Sequence, residues 1–406
     1  MSIFIPQSSI KHLDEYRYQS EDRSLTTKYI LKPFWSKFER IFPKWMAPNM
    51  VTLLGLLFIV ISDILIFYFD PYYDKISPKW VYFYHAFAVF MYQTFDACDG
   101  IHARRTGQSS PLGELFDHCC DSMNTTLMVI QFASVANLTC NNPLIFIVQF
   151  SALANFYLST WEEFYTHKLF LSEISGPVEG LLMISFVFIL TGIFGVEEIW
   201  KKELYLLKIS NNNINNLFNS FPIDSISISI NGSHISAFFG AIVMGFNIYS
   251  ARRNVINTLK IDKRSNEIKI ALQGLYPFII YYLTIIILFI LHPIIITNYT
   301  TTMIIIIGSC MSYTVGKIIT CHLTKQQFPF INFPMFLPVI QALLMEIFVK
   351  IFNVEYLDAL NIIIYGSLGA SLFIYGMFVT EIIYDITTYL DIWALSIKHP
   401  KEIKED

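Results

Sequence analysis

Apolar stretches of about twenty residues recur along the chain, each long enough to cross a hydrocarbon layer about 30 Å thick as a helix rising 1.5 Å per residue. They fall near 50–69, 80–103, 114–136, 143–165, 177–195, 234–251, 274–296, 301–321, 331–349 and 361–384. The pattern predicts an all-α polytopic membrane protein with about ten transmembrane helices. Residues 1–30 are polar with mixed charges and no apolar leader core, so the first membrane helix is expected to act as the targeting signal. Between Pro33 and Pro43, Phe34, Trp35, Phe38 and Phe42 stand against Lys37, Glu39 and Arg40. That mixture suits a helix lying in the interface plane, with a short soluble helix as the alternative.

The loop 196–233 holds a run of Asn around 211–216 and then Ser225-Ile-Ser-Ile-Ser-Ile. The Asn run reads as a low-complexity insertion. The alternation after it could be a short strand but reads more readily as tolerated filler.

The distribution of cations orients these segments. Eight Lys or Arg precede the first span, Arg104 and Arg105 follow the second, Lys168 the fourth, and a cluster from Arg252 to Lys269 the sixth. Lys325 follows the eighth, and Lys398, Lys401 and Lys404 end the chain. With ten spans all of these lie on one side, which the positive-inside rule makes cytosolic. The Asn-x-Ser/Thr triplets at Asn137, Asn231 and Asn298 map to the other side. Both termini are therefore expected in the cytosol.

Composition narrows the class further. The 406 residues are 54% hydrophobic and only 15% charged, which is too apolar for a soluble globule. The six cysteines have no C-x-x-C or framework spacing, so neither zinc nor a disulfide scaffold is indicated. No basic patch with interleaved aromatics points to nucleic acid.

Against this apolar background four aspartates stand out. Asp96 and Asp99 are three apart at the end of the second span, and Asp117 and Asp121 four apart at the start of the third. Each pair shares a helix face, so two helices packed side by side bring the four carboxylates together. Carboxylates at the edge of a hydrocarbon layer are costly unless paired, solvated or bound to a cation. Oxygen ligands of this kind suit magnesium, calcium or manganese rather than zinc. Gly100 and Gly113 leave room for a ligand, and Arg104 offers a planar fork for phosphate. Together they predict a metal-assisted phosphoryl-type transfer. Glu114 and His118, four apart on the same helix, could act as a carboxylate orienting an imidazole that takes a proton near neutral pH.

The full pattern D-x2-D-G-x2-A-R-x8-G-x3-D-x3-D, from Asp96 to Asp121, resembles the signature of the CDP-alcohol phosphotransferase family. The flanking Tyr92-Gln-Thr-Phe-Asp and Ser110-Pro-Leu-Gly-Glu-Leu-Phe-Asp-His are similar to the eukaryotic choline and ethanolamine phosphotransferases. So are Ala47-Pro-Asn-Met-Val-Thr-Leu, Trp161-Glu-Glu-Phe-Tyr-Thr-His-Lys-Leu and Gly176-Pro-Val-Glu-Gly, so that the likeness spans roughly residues 30–185. One local departure is Ile101-His102, where relatives are expected to carry Lys-Gln.

The resemblance implies transfer of phosphocholine or phosphoethanolamine from CDP-choline or CDP-ethanolamine to diacylglycerol, giving the phospholipid and CMP. It implies magnesium, with manganese as a substitute, held by Asp96, Asp99, Asp117 and Asp121. It also implies a homodimer in contact with membrane lipid, in the endoplasmic reticulum or Golgi, with the site facing the cytosol. Asn49, Gly100, Arg104 and Gly113 would contact the substrate, Asn49 having helix capping as its alternative role. Two bases stay open, Asp121 or the Glu114/His118 pair; because a bound cation lowers a carboxylate's basicity, His118 is the expected one. Glu162, Glu163 and Glu179 could line the lipid access or attract an ammonium group, with plain interfacial solvation accounting for Glu162 and Glu163 at least as well. Trp161, Phe164 and Tyr165 could cage that group, although such residues more often form just the interfacial aromatic belt.

The chain then divides into a cytosolic segment 1–47 with the interfacial helix, a transmembrane catalytic domain 48–385 and a cytosolic tail 386–406. A related transferase with another acceptor and a cation-coupled transporter are the alternatives; the latter calls for mid-membrane charges on broken helices and repeated halves.

Overall fold

In a computed structural model, which describes residues 3–17, 19–22, 24–171, 176–209 and 226–400, the apolar segments form ten long helices. These are α1 Pro48–Phe69, α2 Lys79–Thr106, α3 Pro111–Val135, α4 Leu144–Thr166 and α5 Pro177–Phe194. They continue as α6 Gly232–Ile261, α7 Tyr276–Leu291, α8 Thr300–Leu323, α9 Leu337–Lys350 and α10 Tyr356–Leu390. All but α2 and α3 belong to eight helical spans long and apolar enough to cross a membrane, α7 and α9 reaching that length only with the turns joined to them, as Ser265–Leu291 and Phe333–Ile351. The exceptions are 28 and 25 residues long, and they are the two that carry the aspartate motif. The chain is a multi-pass membrane protein.

Helix α8 lies nearly buried at the centre, against α3, α4 and α10. On one flank α1 packs on α2 and α3, and α2 on α5. Small residues permit the closest approaches, as is usual where packing rather than a hydrophobic driving force joins helices in lipid. A Cβ at Gly308 would lie 2.1 Å from Thr126 Oγ1 of α3, and one at Gly55 2.8 Å from Phe95 Cβ of α2. The outward faces are apolar: Phe238, Phe246 and Tyr249 on α6, and Tyr365, Phe373 and Tyr384 on α10, are all exposed.

Two segments differ from the sequence expectation. Ile226–Ile230 is a strand, paired antiparallel with Tyr205–Ile209, rather than filler. Alternating β-branched residues need a partner ladder, and that partner lies before the Asn run, which falls outside the described residues along with Lys401 and Lys404. The interfacial segment forms a helix at Lys32–Phe38, but Glu39, expected on its polar face, is buried. Its Oε1 lies 2.8 Å from His102 Nδ1 and 2.7 Å from Arg105 Nε, while His102 Nε2 meets the Met46 carbonyl at 2.9 Å. The departure Ile101-His102 thus ties the segment to α2.

Candidate active site

A four-residue turn brings the two halves of the motif together. Gly107 ends α2 in the left-handed region (φ 65°), and Ser110 caps α3 by accepting from the Gly113 amide at 3.3 Å, with Pro111 opening the helix. One carboxylate oxygen from each of Asp96, Asp99 and Asp117 then lies within 4.8 Å of the others. Asp96 Oδ1 and Asp117 Oδ1 are buried without a hydrogen-bond partner. Asp99 accepts from Thr52 Oγ1 of α1, and Asp121, in contact with Asp96, accepts from the Tyr92 hydroxyl. Converging, partly unpartnered carboxylate oxygens with no nitrogen or sulfur among them fit a hard divalent cation.

The structure distributes the other expected residues unevenly. Arg104 is exposed at the end of α2 and enters no ion pair among the described residues, whereas Arg105 is committed to Glu39. At Gly100 and Gly113 an added Cβ would meet only ordinary contacts, 3.6 Å to Arg104 Nη1 and 3.8 Å to Asn49 Oδ1, so protein packing alone does not require glycine at either. Asn49 does not cap α1, whose first-turn cap position is Ala47; its Nδ2 donates to the Ala394 carbonyl at 2.9 Å.

Glu114 is not paired with His118 in the structure. Its Oε2 accepts from the Tyr16 hydroxyl at 2.6 Å, and its Oε1 is 3.9 Å from His322 Nδ1. An i,i+4 spacing places two Cβ atoms on one face but leaves the rotamer to whichever donor is nearest, here a phenol from the N-terminal segment. The acid facing His118 Nε2 is Glu163 of α4, at 3.9 Å, while His118 Nδ1 is buried and unpartnered. The aromatic cage is also reduced: Trp161 is fully buried with Nε1 donating to the Ala271 carbonyl at 2.8 Å, and Glu162 turns away to accept from Asn254 at 2.7 Å.

The model of the family described as CDP-alcohol phosphatidyltransferase matches residues 45–205. Over 99% of its length the chain is 44% identical to all of cholinephosphotransferase 1 of Saccharomyces cerevisiae. It belongs to the CDP-alcohol phosphatidyltransferase family. Its identity to the whole of choline/ethanolaminephosphotransferase 1 of the same yeast is also 44%, over 99% of the chain. With choline/ethanolaminephosphotransferase 1 of Arabidopsis thaliana it is 35% over 80% of the chain and 79% of the plant protein. As a member of this family the chain is a transferase, and the transporter reading falls.

Sequence reasoning missed Tyr92, Thr52, Tyr16 and His322. Tyr92 carried a signal, being four residues before Asp96 on the same helix face. Thr52 stands three residues after Asn49 and is a weaker case of the same kind. Tyr16 and His322 are 98 residues before and 208 after Glu114 by chain position, and no spacing rule reaches that far.

Proposed function

We propose that the chain transfers phosphocholine or phosphoethanolamine from the CDP ester to diacylglycerol, releasing CMP, at the cytosolic face of the endoplasmic reticulum or Golgi membrane. The relatives' names supply the substrate class, and one observation of this chain carries the reading: Asp96, Asp99 and Asp117 converge with buried oxygens left unpartnered. Asp96, Asp99, Asp117 and Asp121 would hold magnesium, or manganese in its place. That ion supplies neutralisation of the diphosphate and polarisation of the phosphorus under attack.

The chain's own groups do the rest. Arg104 pairs with the diphosphate, and Gly100 and Gly113 let it approach the backbone. Diacylglycerol reaches the site laterally from the bilayer. As its hydroxyl attacks the phosphorus bearing the alcohol, His118 takes the hydroxyl proton, and the bond to the CMP oxygen breaks. Glu163 is placed to hold the resulting imidazolium, a part the sequence assigned to Glu114. Asp121 is the weaker base because one of its oxygens already accepts from Tyr92. The apolar outer faces meet membrane lipid and a second copy of the chain in a homodimer.

Purified protein given labelled CDP-choline or CDP-ethanolamine, diacylglycerol and magnesium should form CMP and the matching phospholipid in equal amounts. Hydrolysis without lipid product, or no CMP at all, would refute the assignment.

A further inference from the structure

The chain does not leave the site when α10 ends. Asp391 turns it back in a left-handed conformation (φ 53°), and residues 392–399 return across the start of α1 and the turn between α2 and α3. Met46 and Ser396 form an antiparallel backbone bridge. The Asn49 side chain donates to the Ala394 carbonyl at 2.9 Å, and Gln108 to the His399 carbonyl at 3.1 Å. The segment also closes on itself, because Lys398 Nζ meets Asp391 Oδ1 and His399 Nε2 lies 2.9 Å from Oδ2. Those two donors hold the Asp391 carboxyl below its ordinary range.

Under this clasp is a cavity of about 200 Å³ lined by Asn49, Ser110, Leu112, Trp393 and Lys398. A cavity of about 150 Å³ accepts a benzene-sized ring, so this one accommodates a single heteroaromatic ring but not a whole nucleotide. Its position fixes which ring. Asn49 and Thr52 are three apart on α1; the first lines the cavity and the second donates to Asp99. The cavity therefore adjoins the first turn of α1, whose next residues include the donor to Asp99. Trp393 offers an aromatic face, and Asn49 and Ser110 offer hydrogen bonds, while Lys398 is held by Asp391 at the edge of the cavity.

We infer that the C-terminal segment 391–399 forms the outer wall of the subsite for the donor's pyrimidine ring, with Trp393 against the ring and the Asp391 clasp holding the wall in place. This rests on the CDP-ester reading above and adds to it a binding element outside the motif. Both esters share the pyrimidine and differ only at the alcohol, so the wall serves them equally.

The test uses the full chain carrying Trp393→Ala or Asp391→Ala. The KM for CDP-choline and that for CDP-ethanolamine should each rise about tenfold, with kcat and the diacylglycerol KM within twofold of wild type. Lys398→Arg, which preserves the clasp, should keep the wild-type donor KM while Lys398→Ala raises it. Donor KM values unchanged in Trp393→Ala and Asp391→Ala, or changed for one ester alone, would overturn the inference. Should these variants fail to accumulate, Ser396→Cys in otherwise wild-type protein decides: CMP with magnesium should slow its labelling by a thiol reagent, and an unaltered labelling rate would overturn the wall. Wild type that forms neither CMP nor lipid would instead defeat the CDP-ester reading itself.

Discussion

Tyr16 donates to Glu114 Oε2 across 2.6 Å, and through that bond the N-terminal segment reaches the first turn of the helix that carries half of the aspartates. The residues before it are anchored as well. Phe4, Ile5 and Leu13 are buried against α8 and α10, Glu15 pairs with Lys325, and Asp14 accepts from Tyr389 at 2.6 Å. The Lys325 ammonium holds the Glu15 carboxyl below its usual range.

Removing only the phenolic oxygen tests whether that bond holds the N-terminal segment to α3. A hydrogen bond to a charged group contributes about 1.5–3 kcal/mol to stability. Tyr16→Phe should lower the thermal midpoint in detergent, with kcat and the donor KM near wild type because Glu114 is not paired with His118. A wild-type midpoint would make the contact a packing detail.

The acid facing His118 gives a second expectation. His118→Ala should cut turnover about 10² to 10⁴-fold, the usual contribution of a general base, while donor binding in magnesium persists. Glu163→Gln should produce part of that loss and Glu114→Gln less, an order opposite to the one spacing on α3 suggests. Equal losses in the two glutamine variants would return Glu114 to the orienting role.

How much of this was legible depended on range. Asp96, Asp99, Asp117 and Asp121 were readable because helical periodicity fixes which residues share a face, and the short turn Gly107–Ser110 keeps the motif-bearing ends of α2 and α3 together, although along their length both helices pack on α1 far more than on each other. The spans were readable because lipid imposes a minimum apolar length. Glu114 and His118 show where that logic stops: the helix sets where their Cβ atoms lie, and partners from residue 16 and from α4 set where the side chains go. Glu39 was misread as solvated because its partners, His102 and Arg105, sit in a different span. The N-terminal segment was illegible because Phe4, Ile5 and Leu13 are too few, and too irregularly spaced, to mark a buried face.

Packing around α3 makes a stability prediction. Gly308→Ala would push a methyl to 2.1 Å from Thr126 Oγ1, so one helix must shift. Overpacking of this kind costs about 1–3 kcal/mol and should lower the thermal midpoint in detergent. Gly366→Ala, where nothing lies within 4 Å, should leave it within error. Equal midpoints would mean that α3 and α8 are less tightly joined than their contact implies.

Sidedness can be checked at the turn itself. Ser109 is exposed between α2 and α3, and Ser109→Cys should react with an impermeant thiol reagent from the cytosolic side of sealed vesicles. Labelling from the lumenal side alone would invert the orientation drawn from the Lys and Arg distribution.

The aspartate cluster is best tested by following magnesium binding and CMP formation together in one protein. Asp117→Asn removes a carboxylate whose Oδ1 has no other partner, so the variant should insert and fold like wild type yet lose saturable magnesium binding in the presence of CDP-choline, and with it both CMP and lipid product. Near wild-type turnover by Asp117→Asn, with magnesium binding intact, would contradict a cation held by these aspartates.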